Sequence, residues 1–450
     1  MLIIYVALRH GPPIIPGDAN HDGETDMATD IPARARAVFP GGIANGEFGL
    51  PADAIVAIAR GEGARLWDTA GKEFIDFSMG WGSALVGHAR PEVVEAVRRQ
   101  APLGSNFAYL NPQVLALAEE IRRVCPAVER LRFCASGTEA TMYCLRLARA
   151  ATGRAKILKF EGAYHGANEA GVTSLFPNKN LPFPQPELTS AGTPSAAREL
   201  LVAPYNELGP TAEIVRAHRA ELAGIIMEPL QRCTPPEPGF LEGVRALATE
   251  AGVPLIFDEV VTGFRLAYGG AQEYYGVVPD LVAYGKALGG GYPIGAFGGR
   301  AALMDQVEES RIGGDGYVWM ASTLGGNPIS TAAANAALGV LKQPGTYARL
   351  HALGAAFREG LARVLRDRQI AAQVIGDGPL AQVVFTDRPV NNYRSTARGD
   401  KARARKLMLD LFARGVFVNP MGTKLYLSIA HDEAICGAFL ERFDAALESG

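Results

Sequence analysis

From about residue 130 onward, short apolar runs alternate with longer amphipathic stretches. "RLRFCAS" (130–136) reads as a strand and "GTEATMYCLRLARAATG" (137–153) as a helix whose apolar residues recur at three- and four-residue spacing. "AKILKF" (155–160) and "LAGIIMEPL" (222–230) are strands. "PGFLEGVRALATEAG" (238–252) is a helix opened by proline and closed by glycine. "VPLIFDEV" (253–260), "PDLVAYG" (279–285) and "IGAFGGR" (294–300) are again strands. Continuous apolar strands separated by helices predict a mostly parallel sheet covered by helices on both faces. In such sheets ligands bind beyond the carboxyl ends of the strands.

The flanks carry a different rhythm. "AIVAIARGEGARLWD" (54–68) and "KEFIDFSMG" (72–80) alternate as short strands joined by turn residues. A long helix, "PISTAAANAALGVLK", follows Asn327, and mixed α and β segments continue to the end. We therefore expect an α/β architecture. Residues 88–330 form a large domain, and 31–87 with 331–450 form a smaller α+β domain built from both chain ends. Residues 1–30 open on "MLIIYVAL", too short to span a bilayer. They continue with a Pro-, Gly- and Asp-rich stretch, and residues 1–30 are expected to be either a disordered extension or a mis-called start, with Met27 a sensible true start.

Composition narrows the function class. At 450 residues two lobes are expected rather than one core. The net charge of −3 is spread along the chain, and "DKARARK" (400–406) has the spacing of a solvated helix face, so neither nucleic acid nor a membrane surface is an expected partner. Five scattered cysteines without a Cys-x-x-Cys pair argue against a disulfide framework and point to a reducing cytoplasm. The seven histidines lack metal-ligand spacing.

Four motifs sit at predicted strand ends. Lys286 closes the apolar run "LVAYGK" and precedes three glycines; a lysine kept neutral by its surroundings is a nucleophile toward aldehydes. Asp258 closes "LIFD" and reads either as a cap or ion pair, with Arg265 a candidate partner, or as a buried carboxylate held charged by a ligand cation. Ser136, Gly137 and Thr138 lie between a strand and a helix start, where free N–H groups and hydroxyls make an anion cradle; they also suit an ordinary cap. Tyr164, in "AYHGA", is placed to stack on a planar ring or to pack in the core. Together they supply what pyridoxal 5'-phosphate (PLP) requires: a site for phosphate, ring face, ring nitrogen and aldehyde.

On these motifs, and on "GARLWDTAGKEFIDF", "MEP", "FDEVVTGFR", "YGKALGGGYPIGA" and "STLGGNP", the chain resembles the class III, fold-type I PLP aminotransferases from about 32 to 445. It is most similar to their glutamate-1-semialdehyde 2,1-aminomutase branch. The resemblance implies that Lys286 forms the Schiff base with PLP and then moves the proton. Asp258 would pair with the ring nitrogen, Ser136, Gly137 and Thr138 would hold the phosphate, and Tyr164 and His165 would flank the ring. Glu228 would stand near the cofactor, Trp81 would line the substrate pocket, and Thr323 would reach the phosphate in the neighbouring subunit of a homodimer.

The chain also departs from that branch. The branch's "PGGVNSPVRAF"-like segment reads "PGGIANGEFGLP" (40–51), with Asn45 and Phe48 about where a carboxylate-binding serine and arginine would stand. "EPVxGN" reads "EPLQRC", so Arg232 replaces a glycine and Cys233 an asparagine. Arg232 is thus a candidate relocated anion contact, or a solvated structural arginine. The expected activity is amino transfer from an amine donor to a carbonyl acceptor. The alternatives are an intramolecular, aminomutase-like transfer and a PLP-fold binding protein without catalysis.

Overall fold

In the computed structural model, residues 31–45, 50–51, 54–314, 316–418 and 424–448 are described. The expectation for residues 1–30 therefore lies outside the described residues. The chain divides into two units, 1–57 and 58–450. The first contains the helix Ile31–Val38 and a 3-10 turn, Pro40–Gly42.

The second unit begins with an antiparallel meander, β1 (Ile58–Glu62), β2 (Arg65–Asp68) and β3 (Glu73–Asp76). The predicted central strands follow: β4 (Arg130–Cys134), β5 (Lys156–Phe160), β6 (Leu200–Ala203), β7 (Leu222–Met227), β8 (Leu255–Asp258), β9 (Leu281–Tyr284) and β10 (Gly295–Gly299). They form one sheet in the order β4-β10-β9-β8-β7-β5-β6. Strands β6, β5, β7, β8 and β9 run parallel, and β10 runs antiparallel between β9 and β4. Every residue of β6 through β10 is buried, as expected where helices cover both faces.

Local chemistry sets the helix ends. Ser136 caps Gly137–Thr152 by accepting from Glu139 N at 3.2 Å, and Gly153 ends it in the left-handed region at φ 65°. Toward the C-terminus come β11 (Gln373–Ile375), β12 (Leu380–Val384), β13 (Val416–Phe417) and β14 (Lys424–Tyr426). Strands β11, β12 and β14 make a small antiparallel sheet, while β13 lies parallel beside β3 and so joins sequence from both ends. Helix Lys401–Ala413 carries the "DKARARK" segment, with Arg403 and Lys406 among its residues. Among the described residues, no helix is long and apolar enough to cross a membrane.

Two glycines have steric jobs. A Cβ on Gly295 would lie 2.2 Å from the Ser136 carbonyl oxygen, so glycine lets the start of β10 pack against the turn after β4. Gly290, at φ 58°, would place a Cβ 2.8 Å from that of Ala337. One of the three glycines after Lys286 thus serves close packing against helix Pro328–Leu341.

Candidate active site

The sheet brings the predicted motifs to one edge. The turn after β4 carries Ser136, Gly137 and Thr138. Tyr164 and His165 follow β5, Glu228 follows β7, Asp258 ends β8, and Lys286 lies just beyond β9. The cradle and the lysine turn are in contact: a Cβ built on Gly285 would lie 3.5 Å from Gly137 N. Asp258 and Ala283 are register partners, which sets the carboxylate beside the strand that leads to Lys286.

Asp258 is buried. Its Oδ2 lies 2.8 Å from His165 Nδ1, and its Oδ1 accepts from Val260 N at 3.0 Å. Among the described residues the other imidazole nitrogen, Nε2, is buried and unpartnered. The ion pair with Arg265 considered from sequence does not form. Arg265 instead donates Nε to Val261 O at 2.9 Å and Nη2 to Gly82 O, and its guanidinium carbon lies 5.7 Å from the centre of the Tyr426 ring. Thr138 Oγ1 accepts from Ala167 N at 3.2 Å, and Thr141 Oγ1 donates to His165 O at 2.6 Å. These bonds tie the cradle to the Tyr164–His165 loop.

Lys286 is partly buried and adopts φ 44°, a left-handed conformation that side-chain-bearing residues hold only under constraint. Burial lowers its pKa to about 8; Asp258 and Glu228 oppose the shift, and Arg232 and Arg265 add to it. Glu228 accepts from Tyr164 N at 2.8 Å and from Arg232 N at 2.9 Å. Burial would raise its carboxyl, but Arg232, His165 and Lys424 outweigh that and hold it below the usual carboxylate range. Tyr164 is not core packing: it is 37% exposed, and the Arg232 guanidinium stands 5.6 Å from its ring centre.

The remaining candidates are placed less fully. Trp81 lies half-buried in the strained turn Met79–Gly82, at φ 57°. Thr323 is exposed on a loop held by Tyr143 OH to Ala321 O (3.0 Å) and by Ser322 Oγ to Glu139 Oε2 (3.0 Å). Asn45 belongs to the first unit, and Phe48 lies outside the described residues.

Two lysines escaped the sequence reading. Lys424, on β14, faces the Glu228–Arg232 turn electrostatically, and nothing in "TKLYL" marks it. Lys159, inside β5, is fully buried and donates to the carbonyls of Ala163 (3.1 Å), Ala170 (2.9 Å), Gly171 (3.3 Å) and Thr173 (2.6 Å). Burial and Arg232 push its pKa down to about 7, while Glu228 and Asp258 oppose the shift. A lysine interrupting a buried apolar strand was the available signal. Lys159→Met is expected to leave those carbonyls short of donors and to cost about 2–3 kcal/mol. Urea unfolding checks it, and an unchanged midpoint would mean that Lys159 does not hold the loop.

Known proteins share this fold and sequence. Residues 51–446 match the family Aminotransferase class-III. The glutamate-1-semialdehyde 2,1-aminomutase of Thermomicrobium roseum is 40% identical over 405 residues, 89% of this chain and 93% of that protein. An omega-transaminase from Sphaerobacter thermophilus superposes with a TM-score of 0.87 at 36% identity, covering 95% of this chain and 98% of that one. The β-phenylalanine aminotransferase of Variovorax paradoxus gives 0.81 at 32%, covering 93% and 91%. The chain belongs to the class III aminotransferases, a family of PLP-dependent enzymes.

Proposed function

We propose that this enzyme uses PLP to move an amino group from an amine donor to a carbonyl acceptor, with Lys286 as its catalytic residue. The contact between the Gly137 cradle and the Gly285–Lys286 turn carries the reading, because it gathers an anion site and a low-pKa amine at one sheet edge. The residues fit the cofactor on chemical grounds. Helix Gly137–Thr152 presents its N-terminus and the Ser136 and Thr138 hydroxyls to a phosphate. Asp258 offers a buried carboxylate, backed by His165, to a ring nitrogen.

PLP, when bound, supplies an aldehyde for the amine and a protonated ring that withdraws electrons from the carbon bearing it. Lys286 Nζ would be the residue that holds the cofactor aldehyde and that takes and returns the proton at the substrate carbon. Asp258, held by His165, would keep a ring nitrogen protonated, and Tyr164, its backbone N–H donating to Glu228, would stand against the ring face. Pairing into a homodimer, with Thr323 directed at the neighbouring subunit's phosphate, suits the exposure of Trp319 and Leu324 on the same loop.

Intramolecular amino transfer is the second reading, favoured by the name of the Thermomicrobium roseum relative. A visible spectrum of the holoenzyme, with single amines added and no keto acid, separates the two. Amino transfer predicts that at least one donor bleaches the lysine-linked cofactor band and that a keto acid restores it. A band that no donor bleaches favours the intramolecular reaction. No band after adding PLP would sink both.

A further inference from the structure

Arg232 and Lys424 approach the Glu228 side of the site from different sheets. Arg232 stands at φ 59° in the turn after β7. Its Nε donates to Gly162 O at 3.2 Å, and its guanidinium carbon lies 5.6 and 5.9 Å from the ring centres of Tyr164 and Phe176. Among the described residues its two Nη groups have no hydrogen-bond acceptor. The next residue, Cys233, donates Sγ to Ala381 O at 3.8 Å, and Ala381 pairs with Leu425 in the β12–β14 ladder. Lys424 is therefore one ladder step from the anchor of the Arg232 turn. It shares a strand face with Tyr426, which packs against Gly82 beside Trp81. Lys424 is partly buried and, among the described residues, has no ion-pair or hydrogen-bond partner for its ammonium.

The charges in this corner do not balance. Lys286, Arg232 and Lys424 are set against Asp258, already engaged with His165, and Glu228, which already accepts two backbone N–H groups. Burial, then Arg232, lowers the Lys424 pKa to about 7; Cys233 and Glu228 pull it up, and Lys286 pulls it down. Arg232 has only the shared Glu228, whose Oε1 lies 3.9 Å from its Nε, and among the described residues Lys424 has no ion-pair partner, so a ligand anion would both use the free Nη groups and favour protonated Lys424. The free Nη groups of Arg232 offer a planar fork, and Lys424 offers a point charge.

We propose that Arg232 and Lys424 form the seat of a substrate carboxylate, so that this enzyme takes amino acids or keto acids rather than amines without an acid group. The inference rests on the aminotransferase reading of the site. It also assigns Lys424 a binding role that requires its protonated form.

The test titrates propionate, succinate and benzoate into the holoenzyme by calorimetry at pH 8, in two buffers of different ionisation enthalpy. At least one acid is expected to bind, and Lys424→Met or Arg232→Gln to weaken it about tenfold or more. Because the free Lys424 is mostly neutral at pH 8, binding should take up protons. Lys424→Met should lose that uptake and Arg232→Gln should keep it, which a merely structural lysine would not do. No binding by any acid, unchanged affinity in both variants, or undiminished uptake in Lys424→Met would each overturn the proposal. The cofactor band is recorded on the same samples. A parent protein without the band fails the aminotransferase reading; a parent with the band and no carboxylate effect fails only this one.

Discussion

Lys286→Ala is expected to lower turnover by about 10⁴-fold or more and to erase the lysine-linked cofactor band. The side chain that would be lost is the amine at the end of β9, held at φ 44° beside the Gly137 cradle. Neighbouring lysines are poorly suited to replace it: Lys159 is committed to four carbonyls, and Lys424 projects from the other sheet. Lys286→Arg separates charge from nucleophilicity. It keeps a cation next to Asp258 and Glu228, but a guanidinium stays protonated and cannot attack an aldehyde. Both variants should therefore fail alike, with far-UV circular dichroism unchanged. The pH dependence follows from the direction of the shift. The neutral amine is the reactive form, and the folded-state pKa is lowered from 10.5 to about 8. Capture of PLP by the apoprotein should thus accelerate up to about pH 8 and level off above it, instead of climbing to pH 10 as for a solvated lysine. An arginine variant that keeps a tenth of the parental turnover, or a capture rate still climbing at pH 10, would remove Lys286 from this role.

Much of this architecture was legible because buried parallel strands are written as unbroken apolar runs. "LIFD" and "LVAYGK" each end on a charge, and those charges stand at the carboxyl edge of the sheet. Strand β6 was missed: "LLVA" is a short edge run behind a long irregular loop, with no helical pattern just before it to set up the alternation. The antiparallel direction of β10 was also hidden, since a glycine-rich run reads the same either way. Pairings across long sequence separations were the least visible. Asp258 and His165 are 93 positions apart, and Arg265 stood nearer in sequence as a partner, yet its guanidinium turns to Gly82 and Tyr426. Lys424 joins the Arg232 turn through β12, a link that depends on sheet register and not on any local pattern.

Asp258→Asn is expected to cost about 10²–10³-fold in kcat/KM while the protein stays folded. The amide keeps the size of the carboxylate and can still accept from Val260 N through its oxygen, so the loss isolates charge from shape. Two consequences follow from removing that charge. In the proposed role, the ring nitrogen would lose the anion that keeps it protonated, and the ring would lose electron-withdrawing power with it. His165 is affected too. With its proton on Nδ1, His165 donates to the carboxylate, and its buried Nε2, which has no partner among the described residues, is left as an acceptor. If the asparagine turns its NH₂ toward Nδ1, the imidazole proton must move to Nε2, where a donor would be buried unsatisfied. If it turns its oxygen that way, Val260 N faces an amide NH₂ instead. Either arrangement costs a hydrogen bond, so a modest fall in thermal stability should accompany the large fall in rate. Asp258→Ala should destabilise further, because it leaves both Val260 N and the imidazole unpartnered. A variant Asp258→Asn that stays within tenfold of the parent in kcat/KM, with unaltered PLP affinity, would show that the carboxylate charge is not what holds the ring nitrogen.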